Sequence, residues 1–383
     1  MGPERKKILL LVDWFYPGFK AGGPVQSCRN FVAAMESEYN MVVVCSDRDL
    51  GDMAPYPSVK VNEWNDYTPH TKVFYASALS LKQLQQLISD TAPDYLYLNS
   101  LFSLRYAIFP LWLLWRNRIK AQVVLAPRGM LQEGALRFSQ RKKKLCIGWI
   151  KGAGLPQRIV FQATDTQELR DILHWFPRAK KVIEATNFPR MHQPPLQLPV
   201  KNSGTLDCLF ISRISPKKNL HWLLPQLHQL PAGIRLTLTI KGDATDKEYI
   251  RQLQQQANAL PPDISVRLEG PVNNDAIIDC IRGYHIFVLP TLGENFGHAI
   301  FEALAAGRPV LVSDKTPWRE LRRHKAGWDI ALEEKQAWMD TLTAAAAMPQ
   351  QEYNEWCRGA WQLAHDFYNH EALYKGTREL FST

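Results

Sequence analysis

Residues 289–320 read LPTLGENFGHAIFEALAAGRPVLVSDKTPWRE. A buried strand ends at Leu289 and Pro290, a loop holding Gly293 and Glu294 turns, a helix opens near Phe296 and Gly297, and a second apolar strand follows at 310–313. Strand, turn, helix and strand in this order form one unit of a parallel sheet covered by helices. Backbone N–H groups at the helix start are unpaired and lie at the positive end of its dipole. They stand at the carboxyl end of a strand, where open α/β sheets bind ligands, so the turn suits a phosphate. Gly293 and Gly297 allow close backbone approach. Glu294 and Glu302 would repel a phosphate and suit sugar and ribose hydroxyls instead, through charge-assisted hydrogen bonds. An ordinary turn with two surface glutamates fits the same residues.

The same alternation extends outward in both directions. Downstream of 205 the pattern predicts strands at 206–211, 236–241, 266–269, 285–289 and 310–313, with helices at 219–229, 248–257, 275–281 and 297–306. That is a doubly wound domain. Upstream, strands at 8–12, 41–45, 95–98 and 123–126 alternate with helices at 25–35 and 79–88, a second parallel sheet. No G-x-G-x-x-G accompanies the first strand, so a dinucleotide fingerprint is not supported. Between the halves, Pro189, Pro194, Pro195 and Pro199 mark a linker. The expected organisation is an N-terminal Rossmann-like domain at 1–190, a linker at 191–204, a C-terminal Rossmann-like domain at 205–365, and a C-terminal helix at 366–383 packing back on the first domain. The stretch 350–381 reads as helical throughout.

Composition bounds the alternatives. A chain of 383 residues suggests two domains. Six cysteines are scattered without a C-x-x-C pair, which argues against a disulfide framework or zinc site and for a reducing, cytoplasmic setting. The apolar run at 8–12 is too short for a signal peptide, and no run is long enough to span a bilayer. The net charge of +9 is uneven: residues 1–190 hold 26 Lys+Arg and 16 Asp+Glu, a difference of +10, leaving −1 for the remainder. A basic first half suits anionic partners, or is a solubilising face. No nucleic-acid motif appears.

Two further segments bear on the phosphate reading. Residues 212–220, SRISPKKNL, place Arg213 and Lys218 between a strand end and a helix start, where both could reach one anion. Residues 14–26, WFYPGFKAGGPVQ, place Gly22 and Gly23 before a helix, a second candidate backbone anion site. A basic surface loop and a plain glycine-rich connection are the simpler readings of each.

Together these segments resemble the retaining GT-B enzymes of glycosyltransferase family 4. The family pattern of two glutamates around F-G and A-x-A-x-G-x-P-V is matched by Glu294, Phe296, Gly297, Glu302, Ala303, Ala305, Gly307, Pro309 and Val310. Arg213 with Lys218, Lys241-Gly242-Asp243, the Pro17 to Gly23 turn, the Thr164 to Glu168 segment and Asn187 are also similar to it. The resemblance implies an α/β GT-B fold, two Rossmann-like domains facing a cleft. It implies transfer of a sugar from a nucleotide diphosphate sugar, such as a UDP or GDP sugar, to a glycan or lipid-linked acceptor in bacterial cell-envelope polysaccharide synthesis. It assigns Glu294 to the donor sugar, Glu302 to the ribose, and Arg213 and Lys218 to the diphosphate. The N–H groups near Phe296, Gly297 and His298 would hold phosphate oxygens, and Gly22 and Gly23 would close over them. The implied mechanism is retaining and metal-independent, with no cofactor besides the donor substrate. The acceptor attacks on the leaving-group face and a donor phosphate oxygen takes its proton. Arg128 stands where many members carry a sugar-contacting histidine, which makes it a candidate sugar or acceptor contact.

Other signals carry less. Asp47-Arg48-Asp49 has the form of a metal-binding triplet but reads as a solvated loop. No histidine has metal-ligand spacing. Arg141-Lys142-Lys143-Lys144 with its apolar neighbours, and the apolar run 106–115 ending in Arg116 and Arg118, resemble interfacial segments. They raise peripheral docking on the inner face of an anionic cytoplasmic membrane. The alternative function is a nucleotide-sugar-binding protein without transfer activity.

Overall fold

The computed structural model describes residues 5–132, 136, 140–190, 193–244, 246–273 and 276–382. It divides into two compact units, Met1–Met191 with His370–Thr383, and His192–Asn369.

The first unit is an eight-stranded sheet: β1 (Lys7–Leu11), β2 (Asn40–Ser46), β3 (Trp64–Thr68), β4 (Thr71–Ala76), β5 (Tyr95–Leu98), β6 (Gln122–Leu125), β7 (Ile159–Ala163) and β8 (Lys181–Glu184). The order is β3-β4-β2-β1-β5-β6-β7-β8. All neighbours are parallel except the β3–β4 hairpin at the edge. Buried on both faces, the central strands must be apolar runs rather than alternating ones, as ILLL in β1 and YLYL in β5 are. The edge strand β3 reads WNDYT and stays partly exposed, so no apolar run announced it. The chain's end completes this unit. Phe381 sits edge-on to Tyr95 and Tyr97, with ring centroids 5.3 and 5.5 Å away, and Arg378 donates to both carboxylate oxygens of Glu38.

The second unit is a six-stranded sheet in which every neighbour is parallel: β9 (Thr205–Ile211), β10 (Arg235–Lys241), β11 (Ile264–Glu269), β12 (Ile286–Leu289), β13 (Val310–Ser313) and β14 (Gly327–Ile330). Its order is β11-β10-β9-β12-β13-β14. Direction of winding reverses between β9 and β12 here, and between β1 and β5 in the first unit. Both are switch points of doubly wound sheets.

Two boundaries differ from expectation. Within the helical stretch 350–381 the helix Gln350–Tyr368 belongs to the second unit and the helix Ala372–Leu380 to the first, so the C-terminal helix starts six residues later than the expected 366. The segment from 193 onward, read as a linker, is a strap fixed to the second unit. The Gln193 side chain donates to the Trp361 carbonyl (2.8 Å), the Trp361 indole donates to Pro194 (2.9 Å), and the Arg308 guanidinium donates to Gln197 (2.9 Å). Lys201, only 3% exposed, donates to the carbonyls of Ala346 (2.8 Å) and Met348 (3.0 Å). It thereby caps the negative end of the helix Lys335–Ala347.

Candidate active site

The loops following β9 and β12 meet at the switch point of the second unit, because their strands are neighbours in the sheet. The Leu292 N–H donates to the Lys217 carbonyl (2.9 Å), tying one loop to the other. Lys218 Nζ donates to Glu294 Oε1 at 2.5 Å, and both side chains are 13% exposed. Two residues 76 positions apart, each singled out on its own motif, thus form one partly buried ion pair. Arg213 and Lys217 lie in the same field. Desolvation lowers the Lys217 pKa from the ordinary lysine value. Lys218 and Arg213 act in the same direction and Glu294 against them. The cations outnumber the carboxylate, so the loop mouth favours an anion.

Backbone geometry holds these loops in place. The Ser212 N–H donates to Lys241 (3.2 Å) and the Ile214 N–H to Asp243 (2.8 Å), which seats the Arg213 loop against the end of β10. A Cβ at Gly242 would collide with the Ser212 carbonyl oxygen, so that close approach requires glycine. The Glu294 N–H donates to Lys315 (3.0 Å) and the Trp318 indole donates to the Phe296 carbonyl (2.6 Å). Phe296 is buried against Phe301, Trp318 and Phe367. Gly297, at φ +79°, begins the helix His298–Ala305, whose start has no side-chain cap. Glu302 lies in this helix and is 5% exposed. Neither glutamate is the open surface residue of the simpler reading.

In the first unit, Gly22, at φ +68°, begins the helix Gly23–Met35 at the end of the turn after β1. The turn is held by Asp49, whose Oδ2 accepts from the N–H groups of Phe19 (2.7 Å) and Lys20 (3.0 Å). Asp47 is buried as well and pairs with Arg48 (2.8 Å). The triplet expected as a solvated loop is therefore a buried brace. No sequence signal marks it, since its partners lie some 30 positions away. Arg128 is similarly engaged. Nε donates to Asn99 Oδ1 (2.7 Å), one terminal nitrogen donates to Asn187, and the other donates to the Tyr97 hydroxyl (2.8 Å). The next residue's N–H, on Gly129, donates to the buried Glu168 carboxylate, which also accepts from Thr164 (2.9 Å to its N–H). The resemblance segments around Arg128, Thr164 to Glu168, and Asn187 thus form a hydrogen-bonded scaffold within one unit.

Among the described residues no group of three or more His, Cys, Asp or Glu side chains is placed to hold a metal ion. No described helix is long and apolar enough to cross a membrane. The apolar run 106–115 is mostly core: Leu111, Leu113 and Leu114 are buried, while Trp112 and Trp115 are partly exposed beneath the Arg116 guanidinium.

Residues 198–358 match the family model of the group 1 glycosyl transferases. An uncharacterized glycosyltransferase of Methanocaldococcus jannaschii is 27% identical over 117 residues, covering 30% of this chain and 29% of that protein. The phosphatidyl-myo-inositol mannosyltransferase of Mycobacterium leprae is 30% identical over 142 residues, 36% of each. The chain thus spans about a third of the length of these curated relatives. The crystal structure of Anabaena HepE with UDP and glucose superposes with a TM-score of 0.72 over 99% of this chain and 100% of that one, at 18% identity. That likeness is one of fold, and the fold is GT-B.

Proposed function

We propose, from the premise that this GT-B fold chain carries the group 1 glycosyl transferase domain, that it moves a sugar from a nucleotide diphosphate donor to a glycan or lipid-linked acceptor. The observation that carries the reading is the Lys218–Glu294 pair at the mouth of the switch-point loops, beside Arg213 and the uncapped helix at Gly297. Departure of the diphosphate builds negative charge on phosphate oxygens. Fixed cations and backbone N–H groups interact more strongly as that charge grows, which lowers the barrier. Arg213 and Lys218 are the cations assigned to the leaving group, with the N–H groups of Phe296, Gly297 and His298. Gly22 and Gly23 are assigned as further donor contacts on the first unit. Glu294, held within reach of Lys218, accepts from donor-sugar hydroxyls, and Glu302 accepts from the ribose. Configuration is retained, with the acceptor attacking on the leaving-group face and no metal participating. Arg128 is the candidate sugar or acceptor contact on the first unit: three of its five N–H groups donate to Asn99, Asn187 and Tyr97 and hold its loop.

UDP in the structural neighbour supports a UDP sugar as donor first and a GDP sugar second. Leu145, 75% exposed beside Lys142, Lys143 and Lys144, supports peripheral attachment of the first unit to an anionic leaflet. Pelleting with anionic but not neutral liposomes is expected, and equal pelleting with both contradicts it.

Thermal unfolding with UDP, GDP, ADP and CMP in EDTA tests the reading. One nucleotide raises the midpoint, since stabilisation grows with ligand over its dissociation constant. Donor turnover with that nucleotide's sugars then separates an enzyme from a binding protein. A folded sample that no nucleotide stabilises contradicts the proposal.

A further inference from the structure

The loop that follows β13 is laced to the loop that carries Glu294. Strands β12 and β13 are parallel neighbours, with Leu289 opposite Val312, so their loops leave the sheet side by side. Three hydrogen bonds join them. The Ser313 hydroxyl donates to the Thr291 carbonyl (2.5 Å), the Glu294 N–H donates to the Lys315 carbonyl (3.0 Å), and the Trp318 indole N–H donates to the Phe296 carbonyl (2.6 Å). The last of these reaches the peptide that opens the helix His298–Ala305.

Trp318 is itself fixed. It is 7% exposed, and its ring packs against Phe296, Phe301 and Phe367 at centroid distances of 5.5, 5.6 and 5.3 Å. The segment around it is closed on both sides. Arg319 donates to the Asp314 carbonyl (2.6 Å) and pairs with Asp329 (3.3 Å), and Asp329 accepts from the Leu321 N–H (3.0 Å). Phenylalanine would serve the aromatic packing alone; the indole adds an N–H with a set direction.

That direction matters because of one peptide unit. The bond between Phe296 and Gly297 is trans, so its carbonyl and its N–H point in opposite directions. Fastening the Phe296 carbonyl to the buried indole aims the Gly297 N–H the other way, out of the aromatic cluster. The helix start has no side-chain cap, so the fixing of this peptide falls to Trp318 rather than to a capping residue.

We propose that Trp318 is a positioning residue for the leaving diphosphate: its indole N–H, through the Phe296 carbonyl, holds the Gly297 N–H in the direction from which it donates to a phosphate oxygen. The inference rests on the assignment of the N–H groups of Phe296, Gly297 and His298 to the diphosphate. A donor fixed in advance needs no reorientation when the anion arrives or as charge develops on it.

Calorimetric titration of UDP and of uridine into the full chain, in EDTA, tests it on wild type, Trp318→Phe and Trp338→Phe. Phenylalanine at 318 keeps an aromatic ring in the cluster and removes the N–H. Trp338 is the control. It is buried in the same unit and its indole donates to the Ala331 carbonyl (3.2 Å), on a helix that carries none of the residues assigned to the donor. Trp318→Phe is expected to weaken UDP binding by about tenfold, the upper size for one neutral hydrogen bond. Uridine binding stays unchanged, because uridine has no phosphate. Trp338→Phe lowers the urea midpoint and keeps wild-type affinity for both ligands. Replacement of Trp318 by benzothienylalanine, which keeps the bicyclic shape and lacks the N–H, reproduces the loss independently of how well Trp318→Phe folds. Undiminished UDP affinity in both Trp318 variants, or a loss shared by uridine or by Trp338→Phe, overturns the positioning role and leaves the transferase reading standing. Where the wild type prefers GDP, GDP and guanosine take the place of UDP and uridine. A wild type that binds neither nucleotide sinks the transferase reading, and the inference with it, before any variant is compared.

Discussion

The two units share one winding scheme and use the polar side chains beyond their strand ends in different ways. In the first, several are taken up by the protein itself: Asp49 holds the turn after β1, Arg128 joins Asn99, Asn187 and Tyr97, and Glu168 fixes Gly129. In the second, Arg213, Lys217, Lys218 and Glu294 meet one another at the loop mouth and stay within reach of solvent. The fold decides where loops converge. Whether a loop cluster can do chemistry depends on whether its charges are already satisfied by backbone and amide groups.

That contrast breaks most visibly at Lys218. Lys218→Met is expected to lower turnover by about 10²–10³-fold, the usual size for loss of one group stabilising developing charge. Its unfolding midpoint should stay near wild type. Loss of stability in step with activity would make the pair a scaffold like those of the first unit. Glu294→Ala should mainly lower turnover, while Glu302→Ala should weaken nucleotide binding. Unchanged kinetics in both would contradict the assignments.

Arg128 provides the opposite test. Arg128→Met leaves Asn99, Asn187 and Tyr97 without their donor, at a cost of about 2 kcal/mol or more. Urea unfolding measures it. Full stability with a raised acceptor KM would instead make Arg128 a substrate contact. Asp49→Ala strips the acceptor from two turn N–H groups and should cost about 1–3 kcal/mol. If nucleotide binding also fell, the Gly22 turn would be shown to depend on its brace.

The smallest expected effect lies away from both sites. His285 is buried, with Nδ1 accepting from the Asp207 N–H (2.9 Å) and Nε2 facing the Val200 carbonyl (3.2 Å). Burial lowers its pKa below the ordinary histidine value. The neutral ring is therefore the folded form, and protonation favours unfolding. Its contribution is complete above the unfolded pKa of about 6.5 and is lost as pH falls from there towards the lowered folded value. The stability of His285→Gln should depend less on pH across that window. An identical pH slope in the variant contradicts the role.

Legibility in the sequence followed the type of interaction. Apolar runs such as ILLL and VLVS announced buried parallel strands, and the glycine-marked turn at Gly293 to Gly297 announced the site. The polar edge strand β3 did not show, because its place is set by pairing with β4 rather than by burial. The break at 369–371 lies a few residues beyond the boundary expected after 365, because the helical pattern continues on both sides of it. Lys218 and Glu294 were each legible from a motif, but their pairing depends on two strands adjacent in space and distant along the chain. Asp49 was misread for the same reason. Its carboxylate serves backbone N–H groups, and no side-chain pattern records that.

The central claim is that the switch-point loops of the second unit hold the diphosphate of a nucleotide sugar. Calorimetric titration of the nucleotide found by thermal shift, in EDTA, into wild-type protein and Lys218→Met tests it most directly. The account predicts tight binding to the wild type and a loss of affinity of at least about tenfold, or 1.4 kcal/mol, in the variant at unchanged fold stability. Equal affinity in the two proteins would contradict it.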